Sequence, residues 1–184
     1  MIITLDEMLK MDLKDEVFII ETDTVYGLGC LYNSKAGADR ILKIKNRPKE
    51  KHFSLLVSNL EQVSSLTLDF YDSISLVNKY WPGAVTFIFR KSPLVSEFVS
   101  ENDTVGLRMP DSPVTLKALD KFGPMIMTSL NKSGEPSITS FEDALKFEKD
   151  VDFIVKGGNL HDLPSTVYDI KNHKILRQGS VIIK

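Results

Sequence analysis

Apolar residues along this chain fall into two kinds of run. Compact stretches rich in β-branched residues, at Val17 to Ile20, Phe53 to Val57, Ala84 to Phe89, Val105 to Met109 and Pro124 to Thr128, predict buried strands. Phe153 to Val155, Thr166 to Ile170 and Lys174 to Leu176 continue the series toward the C-terminus. Apolar positions spaced by three and four predict the helices between them. A short helix is capped by Thr4, with Glu7 completing a capping box, and stops before Asp12. A longer one runs from Ser34 to Lys45 with Ala38, Ile41, Leu42 and Ile44 inward, and others cover Leu60 to Leu66, Tyr71 to Tyr80, Pro113 to about Phe122 and Phe141 to Phe147. Thr22 to Cys30 reads as a turn opened by polar hydroxyls, in which Gly27 and Gly29 allow close backbone approach. Strict strand–helix alternation fails at both ends, so the expected architecture is a mixed sheet with helices packed on it. No repeat, linker or low-complexity stretch divides the chain, which predicts a single α/β domain over residues 1–184.

Composition narrows the class. With 184 residues, 42% hydrophobic and 26% charged, the chain has the balance of a globular protein that buries roughly 70% of its unfolded surface. A net charge of −2 argues against wholesale coating of nucleic acid but leaves room for a local basic groove. The single cysteine, Cys30, lies in an apolar run and is expected as a buried core residue in a reducing, cytoplasmic compartment. The N-terminus lacks the basic and apolar regions of a signal peptide, and no run approaches the roughly 20 apolar residues of a membrane span. His52, His161 and His173 have no ligand-like spacing, so no all-protein metal site is expected.

The first candidate chemistry is Lys45-Asn46-Arg47-Pro48, two cations one residue apart where proline stops a helix. Alternation on an extended or turning backbone would send Lys45 and Arg47 to the same side, toward one anion; the plainer explanation is that cations suit a helix C-terminus. Three loops that leave strand ends are loaded with hydroxyls and amides: Thr22 to Tyr26, Ser129 to Asn131, and Pro164-Ser165-Thr166. Such groups bond phosphate or ribose oxygens without adding charge, which leaves neutralisation to Lys45 and Arg47.

Lys45-x-Arg47 and Ser129-x-Asn131, together with Thr22-Asp23-Thr24-Val25-Tyr26-Gly27-Leu28, Trp81-Pro82-Gly83, Gly106-Leu107-Arg108-Met109-Pro110, Pro164-Ser165-Thr166-Val167-Tyr168-Asp169 and Arg177-x-Gly179, resemble in order the signature of the YrdC-like threonylcarbamoyl-AMP synthase family, of the short, single-domain type. The resemblance implies a YrdC-like open, twisted mixed sheet with helices packed on it and a deep ligand groove that holds ATP beside L-threonine. It implies that threonine, bicarbonate and ATP become threonylcarbamoyl-AMP and pyrophosphate, the first step of tRNA threonylcarbamoyladenosine modification. No covalent enzyme nucleophile is needed, because the carbamate oxygen can attack the α-phosphorus while catalysis rests on positioning and charge neutralisation. Carried over residue by residue, Lys45 and Arg47 hold phosphates and carbamate oxygens and act catalytically, and Ser129 and Asn131 orient the nucleotide from the opposite wall. Ser165 and Thr166 bond phosphate, and Arg177 lies along the nucleotide. Thr24 and Tyr26 line the threonine pocket, and Arg108 pairs with the threonine carboxylate. Mg2+ enters with ATP. The chain stops just past the catalytic domain, so transfer to tRNA is expected to fall to separate threonylcarbamoyl-transfer proteins.

His52-Phe53-Ser54-Leu55 departs from the synthase pattern and resembles the YciO-type branch, although Lys45-x-Arg47 and Ser129-x-Asn131 are intact. Two other readings therefore stay open. Lys43, Lys45, Arg47, Lys49 and Lys51 alternate with other residues and would form a cationic rim for weak tRNA or double-stranded RNA binding, against which stand the net acidity and the scattered aromatics. The other is a YciO-like nucleotide-binding protein with weak or no synthase activity.

Overall fold

The computed structural model describes residues 1–46 and 53–184. Ten strands form one continuous mixed sheet: β1 (Ile2–Ile3), β2 (Phe18–Ile20), β3 (Gly27–Leu31), β4 (Ser54–Leu56), β5 (Val85–Arg90), β6 (Thr104–Arg108), β7 (Met125–Ser129), β8 (Phe153–Val155), β9 (Thr166–Asp169) and β10 (Lys174–Arg177). Their spatial order is β1-β8-β2-β3-β7-β4-β6-β5-β9-β10. Parallel pairs (β1/β8, β2/β8, β4/β6, β5/β9) alternate irregularly with antiparallel ones (β2/β3, β3/β7, β4/β7, β5/β6, β9/β10), the mixed sheet expected from the broken alternation of elements. The helices are α1 (Leu5–Met8), α2 (Lys35–Ile44), α3 (Leu60–Leu66), α4 (Phe70–Val77), α5 (Pro113–Phe122) and α6 (Phe141–Leu145).

Strand alternation divides the core between the two faces of the sheet. Ile19, Leu28, Cys30, Leu55, Leu107 and Ile126 enter one cluster, where they meet Ala38 and Ile41 of α2 and residues of α3, α4 and α6. Ile20, Leu56, Met125, Met127, Phe153 and Val155 enter the other, closed by Met8 of α1 and by Ala118 and Leu119 of α5. This second cluster draws on β1, β8, β2, β7 and β4 and stops there, with no member from β6, β5 or β9. The groove described below starts at the edge of this cluster, at Leu56 and Met127, and extends over β6 and β5.

Local chemistry explains most element ends. The capping box forms as expected: Glu7 N donates to Thr4 Oγ1 (3.3 Å) and Thr4 N to the Glu7 carboxylate (2.7 Å). Ser34 and Ser112 cap α2 and α5, the latter with Pro113 in the first turn. α2 ends differently from expectation. Lys45 keeps helical angles (φ −79, ψ −8) and Asn46 turns left-handed at φ 49, so the stop comes from Asn46, ahead of Pro48. Of the extended or turning backbone expected there, Lys45 and Asn46 form a turn, and Arg47 lies outside the described residues. Two strands were not foreseen. β1 has only two residues, and β3 occupies the second half of the stretch read as a turn, because Gly27 and Gly29 masked the Leu28/Cys30 alternation. Cys30 is fully buried, and burial, followed by the Asp15 charge, pushes its thiol up to about 12.

Candidate functional site

The groove floor is carved where the sheet lacks side chains. Gly29 of β3, Met127 of β7, Ser54 of β4 and Gly106 of β6 stand side by side in register across four strands. A Cβ at Gly29 would lie 2.7 Å from the Met127 methyl and 2.9 Å from the Ile126 carbonyl, and one at Gly27 would collide with the Met127 sulfur. The two glycines of β3 therefore let Met127 lie flat against the sheet, and the space above it stays open. Ser54, Leu56, Thr86, Arg108 and Met127 supply the floor, Thr22, Thr24 to Gly27, Thr128 and Ser129 one wall, and Pro164, Ser165, Val167 and Arg177 the other. The cavity volume is ≈ 150 Å³, below the roughly 300–1,000 Å³ of small-molecule sites, and the groove is open to solvent at its mouth.

Among the described residues, two guanidiniums line this space. Arg108, at the end of β6, is 6% exposed. Its Nε donates to Gly83 O (3.0 Å), Nη1 to Thr24 Oγ1 (3.1 Å) and Nη2 to Asp23 Oδ1 (2.5 Å). Arginine has five N–H donors, so one on each terminal nitrogen remains for a ligand. Thr24 is oriented by a hydroxyl-centred turn: Thr22 Oγ1 donates to Val25 O and accepts from the Thr24 and Val25 amides. Arg177, at the end of β10, forks Nε and Nη2 onto Ser165 O (3.0 and 2.8 Å), with Nη2 also reaching Ser165 Oγ (3.1 Å). Ser165 Oγ is shared with Thr86 Oγ1 at 2.8 Å. Burial, and then the charge of Arg108, lower the Arg177 pKa.

Lys45 takes a different place. Its side chain is buried at 4% exposure, and Nζ donates to Ser129 O (2.5 Å), Asn131 O (2.9 Å) and Asn131 Oδ1 (2.8 Å). Asn131 Oδ1 also accepts from Ser129 Oγ (2.7 Å), while its amide donates to Lys132 O and Glu135 O. Lys45 and Ser129-x-Asn131 are thus one clasp on one wall, where facing walls were expected. The inward turn of Lys45 also removes it from the cationic rim expected for RNA.

Of the residues expected in the site, Thr24, Tyr26, Arg108, Ser129, Ser165 and Arg177 line the groove. Lys45 and Asn131 stand behind its wall. Thr166 is fully buried, donating from its hydroxyl to Val181 O (2.6 Å) and accepting from Gly179 N (3.0 Å), so it ties the C-terminal segment to β9. The Tyr26 hydroxyl donates to Gly158 O (2.7 Å), and its ring lies 6.4 Å from that of Phe141; burial, then Glu21, push the phenol up to about 12. Arg47 lies outside the described residues, as do Lys49, Lys51 and His52. The sequence reading missed Asp23, Ser54 and Thr86. Asp23 carried a signal, a lone carboxylate between two threonines; Ser54 and Thr86 carried none beyond strand alternation.

Among the described residues no group of His, Cys, Asp and Glu is arranged to hold a metal ion, and no helix is long and apolar enough to cross a membrane. The family model for Sua5, YciO and YrdC, described as "Telomere recombination", matches residues 11–179. YciO of Escherichia coli (strain K12) is 30% identical over 184 residues, which cover 95% of this chain and 88% of that protein. Threonylcarbamoyl-AMP synthase of Vibrio campbellii is 32% identical over 184 residues, covering 95% and 98%. The structure of P. abyssi Sua5 complexed with L-threonine superposes with a TM-score of 0.91 at 27% identity over 98% of this chain; this chain spans 58% of that one. The crystal structure of E. coli YciO superposes with a TM-score of 0.89 at 29% identity, covering 98% and 91%.

Proposed function

The chain belongs to the Sua5/YciO/YrdC family, and from that premise we propose that it is a threonylcarbamoyl-AMP synthase, converting L-threonine, bicarbonate and ATP into threonylcarbamoyl-AMP and pyrophosphate. The observation that carries this reading is the convergence of Arg108 and Arg177 on one hydroxyl-lined groove, with Asp23 paired to Arg108. Such a site suits a substrate set rich in negative charge: a carboxylate, a carbamate and a triphosphate. The two unused N–H groups of Arg108 form a fork for one carboxylate or phosphate edge. Arg177 and Ser165 hold phosphate oxygens on the facing wall, and Ser129 and Thr24 offer hydroxyls to the amino acid and carbamate. Lys45 builds the Ser129–Asn131 wall and adds positive potential behind it, and Arg47, outside the described residues, is assigned to neutralising phosphate charge. Thr166 braces the Ser165 wall without touching phosphate. Mg2+ arrives as cargo of ATP. Acceleration then comes from holding the carbamate oxygen in line with the α-phosphorus and offsetting the charge that builds on the leaving pyrophosphate. The product, a mixed anhydride, is passed to separate tRNA threonylcarbamoyl-transfer proteins.

The comparable likeness to YciO and the Ser54 hydroxyl on the groove floor favour one second reading, a nucleotide-binding relative without this turnover. One assay separates them: purified protein with ATP, Mg2+, bicarbonate and L-threonine, followed by pyrophosphate release. Release that requires both threonine and bicarbonate is expected. Release that continues unchanged when either is omitted overturns the synthase reading.

A further inference from the structure

Asp23 does more than terminate a turn. Its carboxylate is 11% exposed, bonded to a guanidinium that is 7% exposed, and it stands one residue from Thr24, which holds the next nitrogen of the same guanidinium. Removing two charges from water this far is unfavourable unless the pair is tightly bonded, and a pair is not the only way to satisfy Arg108. Neutral acceptors, Gly83 O and Thr24 Oγ1, already take two of its nitrogens. A carboxylate beside an anion-binding cation also works against ligand affinity, because it repels the ligand. The placement is explained if it serves orientation. Arg108 and Arg177 face one space and repel each other, and Gly83 O and Thr24 Oγ1 are neutral acceptors that do nothing to offset the repulsion.

We infer that Asp23 is the internal counter-ion of the groove: it fixes the plane of the Arg108 guanidinium against Arg177 so that the two remaining N–H groups meet the ligand, and it lowers anion affinity in exchange for that alignment. Asp23 is a positioning residue acting through Arg108. The inference rests on the synthase reading for its kinetic part and on the groove alone for its binding part.

The two parts have opposite signs, which a general loop defect would not produce. Asp23→Asn keeps the shape and removes the charge. Pyrophosphate binding to the full chain, measured by calorimetry, should become about tenfold tighter once a repelling charge leaves the vicinity of two guanidiniums. In the pyrophosphate-release assay kcat should fall by about 10²-fold, the order expected for a misplacement of roughly 1 Å. Asp23→Glu restores the charge at slightly longer reach and should recover most of kcat and return pyrophosphate affinity toward that of the unaltered protein. Weaker or unchanged pyrophosphate binding in Asp23→Asn overturns the inference, as does an unchanged kcat. If Asp23→Asn does not fold, Arg108→Ala is compared with Asp23→Asn/Arg108→Ala. Equal kcat in these two supports action through Arg108; a further fall in the double variant refutes it. Were the unaltered protein to show no threonine-dependent release, the synthase reading would fail while the calorimetric arm still decided the role of Asp23.

Discussion

Replacing Lys45 with methionine separates a cation that touches substrate from one that builds the site. Methionine keeps the buried stem and removes the ammonium, which donates to Ser129 O, Asn131 O and Asn131 Oδ1 at 2.5 to 2.9 Å. Asn131 Oδ1 still accepts from Ser129 Oγ, so two backbone carbonyls bear the loss. Each buried acceptor that loses a charged donor costs about 1–3 kcal/mol. Against this stands relief of the desolvation of an ammonium at 4% exposure, worth a few kcal/mol in the opposite direction. Two such acceptors cost about 2–6 kcal/mol and the relief offsets about 2 of it, so the net expectation is a loss of about 0–4 kcal/mol. For a chain of this length each kcal/mol moves the midpoint by about 2–4 °C, so Tm should drop by up to roughly 15 °C. Calorimetric or circular-dichroism melting measures this directly, with pyrophosphate release measured in parallel and expected to fall by about 10²-fold. A Tm above that of the unaltered protein, accompanied by lost turnover, would refute the clasp and return Lys45 to direct ligand contact.

Gly179→Ala places a Cβ against the Pro164 carbonyl and the Thr166 amide, so the Ser165 wall must shift; a loss of about 1–3 kcal/mol and a raised KM for ATP are expected, read from melting and initial rates. Tyr26→Phe should lower stability by about 1 kcal/mol at neutral pH through the lost bond to Gly158 O. In the native fold Tyr26 holds its proton more tightly than in the unfolded chain, with its pKa pushed from 10.0 up to about 12. Its contribution is therefore complete below pH 10 and lost as pH rises toward 12, and Tyr26→Phe should remove that part of the alkaline slope in denaturant titrations. An identical slope in both proteins would place the alkaline transition elsewhere, Cys30 being the next candidate.

The strands and helices readable in the sequence were those in which period and composition agree. Val17 to Ile20, Val105 to Met109 and the helix ending near Lys45 each carry a local pattern that tertiary packing only had to accept. β3 was not readable as a strand, because Gly27 and Gly29 remove the side chains on one face and leave no alternation to detect; their reason for being glycine is Met127, about a hundred positions along the chain. The same division runs through the site. Hydroxyl-rich strand ends and cations at Lys45, Arg108 and Arg177 could be named from residue types, since few other side chains bind anions.

Which of those groups face the ligand is a matter of contacts distant in sequence. Lys45 and Asn131 are 86 positions apart and bond each other, Thr166 turns its hydroxyl to Val181, and Asp23 finds Arg108 across 85 positions. A bond of that span has no local signature, because each partner looks the same in the chain whether it is answered by protein or by ligand. Local pattern was thus enough for most element types, for the mixed sheet and for naming candidate anion-binding groups. Contacts between distant segments were needed to place Lys45 in a clasp with Asn131 and to bring Arg108, with Asp23 against it, and Arg177 to one groove.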